Sequence, residues 1–100
     1  MLARLYVIIA SEKQEDYQTI KDLLLQIKPD FSISPYREYA GKKGCSEFFV
    51  TGNLEEVQVQ PLLDQLNNDW DGNKDDCSCY GFNTKMFHEL VDYLEFTLFD

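Results

Sequence analysis

Leu2-Ala-Arg-Leu-Tyr-Val-Ile-Ile-Ala10 is the stretch on which the fold turns. It is almost continuously apolar and rich in β-branched residues. That pattern predicts a strand buried on both faces, in the middle of a sheet. Its arginine falls inside the apolar run, and no small-x-small cleavage site follows a long enough apolar core, so it reads as a strand rather than a secretion signal.

Downstream, Ser11-Glu-Lys-Gln14 is a capping-box pattern that opens a helix. Tyr17, Ile20, Leu24 and Ile27 repeat at helical spacing, Leu23 widens the stripe, and Pro29 stops it. Residues 31–51 read as a hairpin. Phe31 and Ile33 alternate with polar residues, Pro35 marks a bulge or an edge strand, 40–44 is a turn, and Cys45–Thr51 returns. Asn53 with Glu56 is an N-cap signal. Pro61 suits the first turn of a helix starting near 60, after a separate turn, with Leu62, Leu63 and Leu66 as its apolar face.

Residues 71–76 read as a polar loop, Cys77–Phe82 as a strand, 84–90 as a turn or short helix and 92–99 as a final strand. The order predicts an α+β domain spanning 1–100: a ferredoxin-like β-α-β-β-α-β sheet with an additional C-terminal strand, helices on one face and the N-terminal strand central.

The chain has 100 residues, 44% hydrophobic and 14% aromatic, enough for a folded core. Three cysteines, two of them one residue apart, do not make a secreted disulfide framework, and a reducing cytoplasm is expected. The net charge is −9, and all of it falls in the second half. Residues 1–50 carry seven basic and seven acidic groups; residues 51–100 carry two lysines and eleven acids. This sign excludes nucleic-acid phosphates and anionic membranes as expected partners.

Chemistry-bearing motifs are sparse. His88 has no motif partner for a triad or a general base, although a small dimeric ferredoxin-like oxygenase or isomerase built on His88 is the alternative reading. Cys45, Cys77, Cys79 and His88 have the wrong spacing for a zinc site, and Cys77 and Cys79 on one strand would simply share a core-facing side. Asp69, Asp71, Asn73 and Asp75 match the first four ligand places of an EF-hand loop, but Lys74 stands where Gly is needed and Tyr80 where Glu is needed. No cofactor is expected.

What remains is acid beside aromatics. Asp69, Asp71, Asp75 and Asp76 lie close to Trp70 and Tyr80, with Glu89 and Asp92 further on. Acid concentrated on one side speeds encounter with a basic partner, and Trp and Tyr are favoured interface anchors. These eight residues are the expected partner-binding set.

In size, in its excess of acid around Asp69–Asp76 and in its aromatic-rich strands, the chain resembles the small acidic immunity proteins of bacterial contact-dependent growth inhibition. Residues 60–82, from Pro61-Leu-Leu-Asp-Gln-Leu through the acidic loop to Tyr80-Gly-Phe82, are similar to the last helix and strand of the regulators of ribonuclease E activity type B. Phe82 and Asn83 stand where that family carries Trp and Gly. Both resemblances imply a non-enzymatic inhibitor of a nuclease, in agreement with the charge, and the expected function is an immunity protein, a monomer or weak dimer, that occludes the active-site cleft of a basic, nuclease-type toxin domain.

Overall fold

Among the described residues, the apolar first strand organises a seven-stranded antiparallel sheet with two helices, an α+β architecture. The computed structural model describes residues 1–81 and 85–99. Strand β1 (Leu2–Ile9) lies between β4 (Ser46–Asn53) and β7 (Val91–Phe99). Outside β4 lie two short pieces, β2 (Ser32–Ile33) and β3 (Arg37–Glu38). Outside β7 comes the hairpin of β5 (Asp71–Asn73) and β6 (Asp76–Tyr80), so the sheet runs β2-β4-β1-β7-β6-β5.

Helix α1 (Gln14–Ile27) buries Tyr17, Ile20 and Leu24, and α2 (Glu56–Leu66) buries Val59, Leu62, Leu63 and Leu66. Both stripes join one core with Ala3, Leu5, Val7 and Ile9 of β1. Successive strand residues point to opposite faces. Both helices therefore cover the odd-numbered side of β1 and leave its even-numbered side open.

Several expectations change. The first strand is central but covered on one side only: Leu2 and Arg4 are exposed and Tyr6 is half-buried. The expected C-terminal strand at 92–99 forms, as β7. β7 pairs directly with β1, while β5 and β6 extend the sheet beyond it. Pro35 splits the expected edge strand into β2 and β3, because it cannot donate to the ladder.

Helix α2 starts four residues earlier than expected and runs through Pro61. Val59 completes an i, i+3, i+4, i+7 stripe with Leu62, Leu63 and Leu66, and it is fully buried. A reciprocal capping box closes the first turn, with Glu55 rather than Asn53 as N-cap: the Gln58 backbone N–H donates to the Glu55 side chain, and the Gln58 side-chain oxygen accepts from the Glu55 amide. Burial of Val59 and the cap together outweigh the hydrogen bond lost at Pro61.

At α1 the cap residue is Lys13, and Ser11 acts from outside the helix. Its hydroxyl accepts from the Lys13 amide at 3.1 Å and donates to Asp16. Of the turn or short helix expected at 84–90, the turn is what forms, with bends and a turn over 87–90; residue 84, like Phe82 at the end of the expected strand, lies outside the described residues. Among the described residues, no helix is long and apolar enough to cross a membrane.

Candidate functional site

The expected polar loop at 71–76 is a hairpin. Asp71 pairs with Ser78 and Asn73 with Asp76, leaving Lys74 and Asp75 as the turn. Gly72 makes this possible: its φ is +111°, and a Cβ there would lie 2.5 Å from the Asp76 carbonyl oxygen. An extended backbone sends Asp71 and Asn73 out side by side instead of wrapping them around an ion. Among the described residues, no group of three His, Cys, Asp or Glu side chains is placed to hold a metal.

Strand register sets the open face in rows. One row reads Phe49, Tyr6, Glu95, Ser78, Asp71 from β4 to β5. The next reads Glu47, Ile8, Tyr93, Tyr80, and on the other side lies Thr51, Arg4, Thr97, Asp76, Asn73. The β5–β7 end of this face thus carries Asp71, Asp76 and Glu95 beside Tyr80 and Tyr93. The β1–β4 end is balanced: Arg37 is bonded to Glu47 at 2.5 Å, and Arg4 lies over the rings of Phe49 and Phe99 at 5.5 and 5.2 Å. Lys74, the hairpin's lysine, reaches back to Glu56 of α2 at 3.3 Å.

Of the eight expected residues, Asp71, Asp76 and Tyr80 stand together on the open face, and Asp92 lines a cleft at its end. Asp75 is exposed in the hairpin turn, Asp69 is exposed just before β5, and Glu89 is exposed in the turn before β7. Trp70 sits on the helix side. Its indole N–H donates to the carbonyls of Leu63 at 2.9 Å and Asn67 at 3.1 Å, and its ring packs on the core. Elsewhere Asp64 lies in a separate cleft beside α2. The excess charge is therefore divided between the helix layer and the hairpin end of the open face.

The cleft at the end of the open face has a volume of about 560 Å³. Tyr6, Tyr39, Tyr80 and Tyr93 wall it, and Asp92 and Glu95 supply its carboxylates. Tyr80 and Tyr93 are 5.1 Å apart between ring centroids, and Tyr6 meets Tyr93 edge-on at 6.2 Å. Tyr93 donates to Glu95 at 3.2 Å. Burial, then the Glu95 charge, pushes the Tyr93 phenol above its ordinary value. Reading β1 as buried on both faces hid Tyr6; the period-2 alternation of Tyr93, Glu95 and Thr97 was the signal for their shared side.

Cys77 and Cys79 do share the core-facing side, and all three cysteines are buried thiols. Burial first, then neighbouring negative charge, raises Cys77 to about 11 and Cys79 to about 12. Such thiols are poor nucleophiles. Half-buried His88 accepts at Nδ1 from the Leu90 amide, 3.1 Å away, which holds the turn into β7. It is not among the residues lining the tyrosine cleft. The chain matches no protein-family model, no curated protein and no solved structure.

Proposed function

We propose that this protein is a cytoplasmic binding module that neutralises a basic protein partner, an immunity protein occluding the cleft of a nuclease-type bacterial toxin of the contact-dependent growth inhibition kind. The carrying observation is the open sheet face, where Asp71, Asp76 and Glu95 flank Tyr80 and Tyr93 while both helices lie on the other side. A two-layer fold leaves one sheet face for solvent or for a partner. Here that face offers an exposed tyrosine as anchor and a negative end for steering. Two copies would present like charge to each other at this end, so a basic partner is favoured over self-association.

The strand order supports a ferredoxin-like reading: β1, the β2/β3 edge, β4 and β7 take the places of its four strands, and the β5–β6 hairpin is an insertion that carries much of the acid. In this reading the hairpin is the recognition element.

The partner to test is the basic C-terminal domain of a secreted protein encoded beside this gene. Co-expression should restore growth to cells making that domain. Association should slow at least about tenfold between low and high salt, and similarly in the Asp71→Lys/Asp76→Lys variant. Growth arrest that persists on co-expression, or an on-rate flat in salt and unchanged in the variant, overturns the proposal.

A further inference from the structure

The tyrosine cleft has a more specific chemistry than the face around it. Four phenol rings form its walls, and carboxylates sit at its rim. Aromatic ring faces attract cations, and the attraction grows as the cation is desolvated. One cation is already at the rim: Lys42 reaches Asp92 at 3.7 Å, with its side chain mostly exposed and the pair loosely made. At that length the lysine is held by charge rather than by a close hydrogen bond.

We infer that this cleft is a receptor slot for one arginine side chain of the basic partner, its guanidinium stacked on the Tyr80–Tyr93 wall and its edge donors turned to Asp92 and Glu95. This rests on the docking face proposed above and deepens it. The geometry favours arginine over lysine. A guanidinium is flat, stacks on rings and donates from its edge to carboxylates, whereas an ammonium is compact and strongly hydrated. The volume, about 560 Å³, admits the side chain together with adjoining backbone. Lys42 then acts as a resident competitor that the arriving arginine displaces from Asp92.

The test uses the intact protein and three short peptides, acetyl-Gly-X-Gly-amide with X as arginine, lysine or citrulline. Citrulline keeps the shape of arginine and removes its charge. Nuclear magnetic resonance titration should show saturable, millimolar binding of the arginine peptide, with shifts at the rings of Tyr80 and Tyr93 and at Asp92. The lysine peptide should bind several-fold more weakly, and citrulline should give no saturable shift. Tyr80→Ala, at a position 48% exposed and outside the core, should weaken arginine binding several-fold. Lys42→Ala, also at the surface, should tighten it about threefold by removing the competitor.

Equal shifts from arginine and citrulline, or unchanged affinity in both variants, overturn the slot. Lysine binding as tightly as arginine overturns the guanidinium assignment. Failure here is separable from failure of the docking face. If the peptides do not bind while charge reversal at Asp71 and Asp76 still slows partner association, the slot alone is wrong.

Discussion

Tyr6 on β1 donates its hydroxyl hydrogen to Oε1 of Glu47 on β4 at 2.5 Å, while Arg37 on β3 holds Oε2 of the same carboxylate at 2.5 Å. Three strands are thereby tied across the open face by one nearly buried charge. Removing Glu47 takes a partner from two groups at once: the half-buried Tyr6 hydroxyl loses its acceptor, and the mostly exposed Arg37 loses a charge-assisted hydrogen bond. Glu47→Ala should therefore destabilise by about 2 kcal/mol, and Tyr6→Phe, which leaves Arg37 in place, by about 1 kcal/mol. Urea unfolding of both single variants and the double variant measures this. Strictly additive losses would show that Tyr6 and Glu47 do not interact.

The same network sets the acid limb of stability. The Tyr6 hydrogen bond, then the Arg37 one, holds the Glu47 carboxyl below its ordinary 4.5. A carboxylate depressed by folding contributes stability that is present above its unfolded value and lost as pH falls through its folded value. Stability should accordingly decline from about pH 4.5 downward, and Glu47→Gln should flatten that decline while lowering stability at neutral pH. A variant whose acid limb overlays that of the parent would assign the loss to other carboxylates.

How much of this was legible in the sequence differs by element. Helix α1 was plain, because Tyr17, Ile20, Leu24 and Ile27 repeat without interruption and Pro29 ends them. Helix α2 was half-read: Pro61 argued for a late start, and only the burial of Val59 reveals the extra turn. The second strand of the hairpin reads as a strand from Cys77 on, but the first, Asp71–Asn73, reads as part of a polar loop, because β propensity discounts Asp and Asn. Gly72 was the missed clue, since a strand glycine marks close backbone approach. For the site, charge pointed to the right segment, but Trp70 and Tyr80 look equivalent in sequence. Only the fold separates the one packed under α2 from the one on the open face.

That separation gives a paired test. Trp70→Phe removes the N–H that donates to the Leu63 and Asn67 carbonyls, while the Leu63 carbonyl keeps the Asn67 amide. It should cost about 1 kcal/mol of stability and leave partner association unchanged. Tyr80→Ala should do the reverse, with little change in stability and a loss of about 2 kcal/mol in binding if it is an interface anchor. Calorimetric binding and thermal melts on the two variants decide it. Equal binding losses would place the interface on the helix side.

The alkaline limb should be steeper than the acid one. Burial raises Cys77 from 9 to about 11 and Cys79 from 9 to about 12, and it lifts the phenols of Tyr6, Tyr17 and Tyr93 above 10. In each case the folded protein keeps a proton that the unfolded chain releases. A group raised by folding contributes stability that is complete below its unfolded value and lost as pH climbs to its folded value. The loss should begin near pH 9 with the two thiols, at up to about 1.4 kcal/mol per pH unit for each, and the tyrosines should join above pH 10. Urea midpoints between pH 7.5 and 10, taken under reducing conditions, give the slope. The Cys77→Ala/Cys79→Ala variant separates these two thiols from the rest: its stability should be lower at pH 7.5 and fall less steeply up to pH 10, the slope that remains coming from Cys45, which burial and then the Asp92 charge also raise. A slope equal to the parent's would mean that these sulfurs ionise as readily folded as unfolded, contrary to their place beneath α2 in the core.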